Sequence, residues 1–198
     1  VCVQGNNLVE ARTRLGEVGY MQQKDLLLPW RSVKENVLLG LEIKGIPRRD
    51  ALRMASEEMA DFGLEGFEDE LPFTLSGGMR QRAAFLRTML TEPEILLLDE
   101  PFSSLDALNR SHLQEWLLGI LEGENRTVVM VTHDVDEAIF LSDRIYVMSP
   151  RPGSILTVES VPFSRPRDRK IVMDPCFLRL KSQILSNLIE KPRDGGSS

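Results

Sequence analysis

The sequence has 198 residues, of which 42% are hydrophobic and 27% are charged, and its formal net charge is −6. This composition is typical of a folded globular protein and excludes a disordered chain. No apolar run approaches the roughly 18 residues that a membrane-spanning helix needs. The negative charge argues against a general nucleic-acid binder. Cys2 and Cys176 fit neither a CxxC nor a zinc spacing, so we expect two free thiols in a reducing compartment.

Strand-like and helix-like segments alternate along the chain, which predicts an α/β fold with a parallel sheet. Strands are predicted at residues 1–4 and 17–22, with a turn at 5–7. A polar, leucine-rich loop over residues 23–30 then leads into a helical block at 31–90. Its first helix begins with a capping box (a serine followed three residues later by a glutamate), and its last helix is predicted from about 77 to 90.

Two short apolar runs, at residues 95–98 and 128–131, do not alternate with polar residues. This pattern predicts central strands covered on both faces. The amphipathic helix between them favours a parallel pair joined by a crossover. Two further strands are predicted at 144–149 and 155–160, around a Pro-Gly turn. A final helix begins with the N-cap residue Asp174, which a proline follows.

Two adjacent acids, Asp99 and Glu100, directly follow the apolar run at residues 95–98. Ligands of α/β proteins bind where parallel strands end, at the carboxyl edge of the sheet. There, one carboxylate is suited to Mg²⁺, a hard cation that prefers oxygen ligands, and the other to orienting or deprotonating an attacking water. The alternative is that the acids end the strand only to reach solvent. The local pattern leaves both interpretations open.

Ser76, Gly77 and Gly78 stand at the start of the last helix of the helical block. Each glycine costs roughly 1 kcal/mol against alanine in a helix, which favours a position where the backbone approaches another group closely. Unpaired N–H groups at a helix start, together with a serine hydroxyl, form an anion site suited to a phosphate. An ordinary serine cap followed by flexible glycines is the alternative.

His133 comes just after the apolar run at residues 128–131, which predicts that it lies on the same sheet edge as the two acids. It is suited there to contact a γ-phosphate or a catalytic water, and a structural histidine is the alternative. Gln22 and Gln23 lie between the sheet and the helical block, where an amide can reach a metal or a water. The alternative is that both glutamines are ordinary polar loop residues without a functional role. His112 is assigned no role.

Taken together and in this order, these elements resemble the ABC ATPase family over nearly the whole chain. LSGGMRQR at 75–82 is similar to the family's signature motif, and ILLLDEP at 95–101 is similar to its Walker B strand. SSLD at 103–106 resembles the D-loop, and His133 falls at the position of the switch histidine. Gln23 matches the glutamine loop better than Gln22, because of its spacing to a Leu-Pro pair. The resemblance implies a P-loop NTPase core sheet with an inserted helical subdomain.

The resemblance also implies roles for the residues at the sheet edge. Asp99 would order Mg²⁺ and its waters, and Glu100 would be the general base for water that attacks the γ-phosphate of ATP. His133 would contact that phosphate. Gln23 would reach the metal, sense the phosphate and link the site to the permease. ATP and Mg²⁺ are the cofactors that follow.

A second set of residues is implied to act across a dimer. Ser76, Gly77 and Gly78 would bind the γ-phosphate of an ATP held by the other subunit, and Asp106 would lie at the dimer seam. The site would be complete only when two subunits close head to tail around two nucleotides. The expected partners are therefore a second ATP-binding subunit, membrane permease subunits and, indirectly, a periplasmic or extracellular solute-binding protein, with no nucleic acid.

A narrower resemblance points to importers of nitrate, sulfonate, taurine and related small solutes. It rests on residues 26–37, 136–153 and 164–168. Trp30, with the leucines before it, would belong to the surface that faces the membrane subunits, and core packing is the alternative. The basic run at 165–170 is expected to be solvated or to dock the tail. We expect a peripheral protein on the cytoplasmic face of the membrane.

No G-x-x-x-x-G-K-[ST] sequence occurs in the 198 residues, so the loop that grips the ATP phosphates is absent from them. Truncation is expected rather than loss, and residues 1–198 alone are expected to hydrolyse ATP poorly or not at all. Two alternatives stay open, a non-transport ABC ATPase and a non-catalytic dimerisation module. The expected division is core at 1–30, signature subdomain at 31–90, core with Walker B and switch histidine at 91–160, and a C-terminal extension at 161–198.

Overall fold

The computed structural model describes residues 2–3, 6–7, 18–122 and 126–189 of the chain. The chain separates into two compact units, the first made of Val1–Leu113 with Glu124–Val131 and the second of Gln114–Gly123 with Thr132–Ser198. The four ranges expected from the sequence motifs are defined differently, and that division stays a prediction.

A short antiparallel pair stands at the start of the described chain, between β1 (Cys2–Val3) and β2 (Asn6–Asn7). The strand predicted at residues 1–4 is therefore present at the positions that the structure describes. The turn predicted at 5–7 is wrong for the two asparagines. They pair with Val3 and Cys2, since a local preference for turns does not prevent a residue from joining a ladder.

The first unit is built on a parallel sheet in the order β3 (Val18–Met21), β4 (Ile95–Asp99) and β5 (Thr127–Val131). The register places Met21 beside Leu98, and Asp99 beside Val131. The carboxyl ends of the three strands therefore meet at one edge of the sheet, and β4 and β5 form the parallel pair that the crossover argument predicted. Leu96 and Leu98 of β4 are buried, which confirms that this apolar run is a core strand.

The prediction that both apolar runs are covered on both faces is wrong for β5. Val129 and Val131 are 49% and 56% exposed. β5 is the last strand in the order of the described sheet, and β4 is its partner on one side. An apolar run indicates surface that needs covering, but it does not supply the element that covers it.

The helical block follows β3 and begins with the predicted capping box. The Glu35 N–H donates to Ser32 Oγ at 3.3 Å, and the Ser32 N–H donates to the Glu35 carboxylate at 3.1 Å. Buried positions such as Val33, Ala55 and Leu86 form the core of the block. The block's α-helices are α1 (Val33–Val37), α2 (Leu39–Ile43), α3 (Arg48–Met59) and α4 (Gly77–Met89).

The second unit combines a hairpin with helices. α5 (Ala107–Leu121) crosses the boundary between the units, and α6 (Val135–Leu141) follows β5. β6 (Arg144–Met148) and β7 (Ile155–Ser160) pair antiparallel, as the two predicted strands require. α7 (Pro175–Ile189) starts at the predicted position, with the Cys176 N–H donating to Asp174 Oδ1 at 2.7 Å. The core of this unit contains Ile139, Ile145, Val147, Phe177, Leu180 and Ile184.

Three arginines of the basic run at 165–170 dock on the second unit, whereas the Lys170 side chain is 91% exposed. Arg167 has a side chain only 1% exposed, and its guanidinium donates to the carbonyls of Phe140, Ser142 and Phe163 at 2.8–3.1 Å. Arg165 pairs with Asp143 at 3.1 Å. Among the residues that the structure describes, no helix is long and apolar enough to cross a membrane.

Candidate functional site

The two acids lie where β4 ends, at the carboxyl edge of the sheet. Asp99 is the last residue of the strand, and Glu100 follows it with φ at 44°, in the left-handed region that a glutamate seldom adopts. Its backbone is held on both sides. The Glu100 N–H donates to the Val131 carbonyl at 2.9 Å, and the Ser103 hydroxyl donates to the Glu100 carbonyl at 3.0 Å. Strain of this kind persists where the surroundings fix it, and it is frequent at functional sites.

The end of β3 brings two side chains to these acids. Gln23 Nε2 donates to Glu100 Oε2 at 2.9 Å, and the Tyr20 hydroxyl donates to Asp99 Oδ2 at 3.1 Å. The hydrogen bond to Asp99 raises the pKa of Tyr20, with a smaller contribution from desolvation. Of the two glutamines considered from the sequence, Gln23 is therefore the one placed against a carboxylate. Tyr20 was not singled out, because its position on a strand gave no sign of its partner.

A set of polar side chains from the helical block holds the loop after Gln23. Asn36 is fully buried, accepts from the Leu28 N–H at 2.6 Å and donates to the carbonyls of Leu28, Arg31 and Ser32 at 3.0–3.1 Å. From α4, the Arg87 guanidinium donates to two carbonyls of the loop, those of residues 25 and 26, at 2.7 and 2.8 Å. The loop is thus clamped between α1 and α4. Sequence reasoning missed both residues.

The predicted phosphate-binding residues form the start of α4. Ser76 is exposed and caps the helix, with its Oγ accepting from the Met79 N–H at 3.2 Å. A methyl group added at Gly77 would meet the Leu105 side chain at 3.3 Å, whereas at Gly78 it would meet no described atom within 4 Å. The first turn of α4 therefore presents backbone toward open space at Gly78. Such a helix start suits an anion.

Asp106 caps the next helix, α5. Its carboxylate accepts from the backbone N–H groups of Leu108 and Asn109 at 3.1 and 3.0 Å and from the Asn109 side chain at 2.6 Å. The hydrogen bonds from Asn109 are the main reason why the pKa of Asp106 is lowered. Asp106 itself is exposed, so it is accessible to another molecule.

His133 belongs to the second unit, between Thr132 and Asp134 at the turn that leads into α6. Asp134 caps α6, accepting from the N–H groups of Asp136 and Glu137 at 2.9 and 3.2 Å. The expected meeting of His133 with the two acids stays a prediction. His112, to which no role was assigned, is exposed on α5.

Comparison with known proteins identifies the family. The family model described as ABC transporter matches residues 1–103 of the 198. The chain belongs to the ABC transporter family. The resemblance inferred from the motifs is therefore confirmed, and with it the α/β fold of an ABC ATPase.

Two curated relatives show where this ABC transporter chain stands within the family. The formylaminopyrimidine import ATP-binding protein ThiZ of Halalkalibacterium halodurans is 46% identical, covering 89% of this chain and 72% of the relative. The aliphatic sulfonates import ATP-binding protein SsuB 1 of Pseudomonas savastanoi is 44% identical, covering 87% and 70%. The chain spans 72% of the length of ThiZ and 62% of the length of an ABC transporter ATP-binding protein of Methanocaldococcus jannaschii.

A solved structure supports the same assignment. It is the dimeric structure of a post-hydrolysis state of an ATP-binding cassette bound to ADP and Pi. It is 26% identical to the ABC transporter chain and has a TM-score of 0.67. The match covers 82% of this chain and 73% of that one.

The residues at the sheet edge fit Mg²⁺ by their chemistry. Asp99, Glu100 and Gln23 all offer oxygen atoms there, and oxygen is the ligand that Mg²⁺ prefers. In the part of the ABC transporter chain that the structure describes, no cluster of three or more His, Cys, Asp or Glu side chains could hold a metal ion. Mg²⁺ commonly takes one or two carboxylates and completes its shell with water and substrate phosphates.

Proposed function

We propose that the chain is the ATP-binding and ATP-hydrolysing part of an ABC importer, coupling ATP hydrolysis to the uptake of a small solute. The observation that carries the proposal is the contact between Gln23 and Glu100, beside Asp99, at the carboxyl edge of the parallel sheet. The relatives that import formylaminopyrimidine and sulfonates support a small organic or sulfonated solute. Nitrate-like and taurine-like solutes belong to the same candidate class.

The proposed chemistry assigns a separate task to each side chain at this edge. Mg²⁺, when bound, neutralises charge on the ATP phosphates. Asp99 would hold that ion, and the Gln23 amide offers a further oxygen ligand. Glu100 accepts the proton of the attacking water as the general base. His133 contacts the γ-phosphate. The strained backbone of Glu100, fixed by Val131 and Ser103, keeps its carboxylate in place for this step.

The contact between Gln23 and Glu100 gives the proposed coupling a physical form. Gln23 lies directly after β3, and the loop that follows it is clamped by α1 and α4 of the helical block. A displacement of the helical block would therefore pull on the loop and on the amide that holds the base. In this way a permease docked on the block would change how Glu100 is positioned.

A dimer is proposed to complete the site. Ser76, Gly77 and Gly78 bind the γ-phosphate of the ATP held by the other subunit, and Asp106 lies at the seam. The open space at Gly78, the exposure of Asp106 and the dimeric state of the similar ATP-binding cassette support this arrangement.

The helical block is proposed as the surface for the membrane permease, on the cytoplasmic face of the membrane, with a solute-binding protein acting through the permease. Trp30 is 73% exposed and Phe73 is 72% exposed, so large apolar side chains of the first unit are available for a partner. Core packing, the alternative for Trp30, is contradicted by this exposure. Leu27, by contrast, is buried. No nucleic-acid partner is proposed.

The test measures phosphate release from ATP by the subunit as its gene encodes it and by residues 1–198. We expect activity from the gene-encoded subunit, weak or no activity from residues 1–198, and a loss of about 100-fold or more for Glu100→Gln, since a general base contributes 10²–10⁴-fold. Glu94→Gln is the matched control, because Glu94 is an exposed carboxylate just before β4, at its other end. Robust activity of residues 1–198, or equal activity of the two variants, would contradict the proposal.

A further inference from the structure

A buried chain of polar side chains runs through the second unit and ends at the turn that carries His133. Arg169 donates from its guanidinium to Gln114 Oε1 at 2.9 Å, and Gln114 Nε2 donates to Glu137 Oε1 at 2.8 Å. The other carboxylate oxygen of Glu137 contacts the Thr132 hydroxyl. Gln114 is 3% exposed and Glu137 is 4% exposed, so the middle of the chain is shielded from water.

The hydrogen bonds in this chain have defined directions. Thr132 Oγ1 accepts from the Asp134 N–H at 3.0 Å, so the hydroxyl hydrogen is directed to Glu137. The Gln114 amide faces an acceptor, the Glu137 carboxylate, on one side and a donor, the Arg169 guanidinium, on the other. A reversed amide would face its oxygen toward the Glu137 carboxylate and its N–H groups toward Arg169, and both contacts would be repulsive. Charge and hydrogen bonding therefore select one arrangement of the four side chains.

The position of Glu137 is fixed from a third side by the helix that bears it. Its N–H donates to the Asp134 carboxylate at 3.2 Å, within the cap of α6. Thr132 and Asp134 thus both use side-chain atoms to bind the start of α6, and His133 is the residue between them. If one of these hydrogen bonds broke, the buried Glu137 carboxylate would lose a donor that stabilises its charge. The hydrogen-bonded network therefore resists the loss of any single bond.

We infer that Glu137, held by Gln114 and Arg169, is a positioning residue that sets the conformation of the His133 turn. This inference rests on the proposed function only for the role of His133, because the network itself is a property of the folded chain. The same network also links the segment around Arg169 to the turn that carries His133. The cation–π contact of Arg169 with Phe140, at 5.4 Å from the ring centroid, helps to fix the far end of the network.

A residue swap tests the inference. In Glu137→Gln, the new amide turns an N–H group either toward the Gln114 N–H or toward Thr132, whose hydroxyl then accepts and loses the acceptor of its own hydrogen. In Gln114→Glu, two carboxylates face each other. In the double variant, Gln at 137 accepts from Thr132 and donates to Glu at 114, which accepts from Arg169. The hydrogen bond from Thr132, the one between residues 137 and 114, and the one from Arg169 are then restored, with the charge moved by one position.

The readout is the imidazole signals of the 198-residue chain in ¹H–¹⁵N NMR spectra, which contain two histidines, His112 and His133. We expect Glu137→Gln to shift the His133 signals while His112 stays in place, and the double variant to bring the His133 signals back toward their original positions. Lys181→Gln is the matched control. It removes an ion pair to Asp136, one residue from Glu137, but lies outside the network. It is expected to leave His133 unchanged.

Turnover of the gene-encoded subunit gives a second readout. A misplacement of about 1 Å can lower a rate by up to 100-fold. We therefore expect kcat to fall in Glu137→Gln with little change in KM, and to recover in the double variant.

Unchanged His133 signals in a folded Glu137→Gln variant, or shifts that the swap fails to reverse, would overturn the inference. Absence of any ATPase activity in the unmodified subunit would instead count against the proposed function and leave the NMR result to decide the inference. If Glu137→Gln does not fold, Arg169→Gln at the partly exposed end of the network is expected to shift His133 to a smaller extent, and no shift there would equally overturn it.

Discussion

Replacing Asn36 by alanine should loosen the loop that follows Gln23. The substitution removes the acceptor of the Leu28 N–H and a donor to the Arg31 carbonyl. The other two acceptors keep a partner, because the Arg31 N–H still donates to the Leu28 carbonyl and the backbone N–H of residue 36 still donates to the Ser32 carbonyl. Two backbone groups are therefore left without their partner.

The magnitude follows from these two groups. Each polar group left unsatisfied costs about 1.5 kcal/mol, which gives about 3 kcal/mol for the pair. Alanine is the better helix former, and in α1 it offsets about 0.6 kcal/mol of this loss. Since Leu28 and Arg31 are partly exposed and water can reach them, we expect the free energy of unfolding to fall by about 2 kcal/mol.

The assay is urea denaturation followed by the fluorescence of Trp30, which lies in the same loop, in a Trp116→Phe background that removes the other tryptophan. Asn187→Ala makes the same chemical change near the end of α7, where the described structure gives the side chain no hydrogen bond, and should alter the free energy by less than about 0.5 kcal/mol. A loss for Asn36→Ala as small as that of the control would refute the reasoning. It would mean that the Asn36 hydrogen bonds are replaced by water without penalty.

Two further outcomes are expected. The lowered pKa of Asp106 means that its cap stabilises the fold above the unfolded pKa and loses this effect as the pH falls through the folded pKa. Between about pH 6 and pH 3, the melting temperature of the unmodified chain should therefore fall more than that of Asp106→Asn, which keeps a cap acceptor without titrating; parallel melting curves would contradict this. Arg167→Lys should lower the free energy of unfolding in urea by about 2 kcal/mol, because one ammonium cannot reach all the carbonyls that the guanidinium bonds. Arg144→Lys, at an exposed residue of β6, should change it by less than about 0.5 kcal/mol, and equal losses would show that the buried carbonyls are not what matters.

Local signals predicted local structure well. The Ser32–Glu35 box formed as expected because its partners are three residues apart, so the sequence contains the whole interaction. The strand ending at Asp99 was equally clear, since a short apolar run followed by acids describes a core strand that reaches the sheet edge. The start of α4 at Gly77 followed from the serine before it.

Side-chain partners distant in sequence were beyond such reasoning. Asn36 looked like an ordinary polar helix residue, and its function as a clamp depends on a loop that folds back over α1. The alternating arginines at 165, 167 and 169 have the pattern of a solvated segment, but carbonyls and polar groups 22 to 55 residues away receive them. Tyr20 had no signal at all. Its contact with Asp99 depends on the strand order, which the sequence did not contain.

The exposed valines of β5 have a practical consequence for solubility. The strand is short, β-branched and uncharged, and its edge in the described sheet offers backbone groups and apolar side chains together. Edges of this composition promote association between copies of a chain, in which strands add to one another and conceal the apolar groups. Samples of residues 1–198 are therefore expected to associate less when they are kept dilute during purification. A charged residue at 129, whose neighbour in β4 is Leu97, would act as a gatekeeper against aggregation away from the acids at the end of β4.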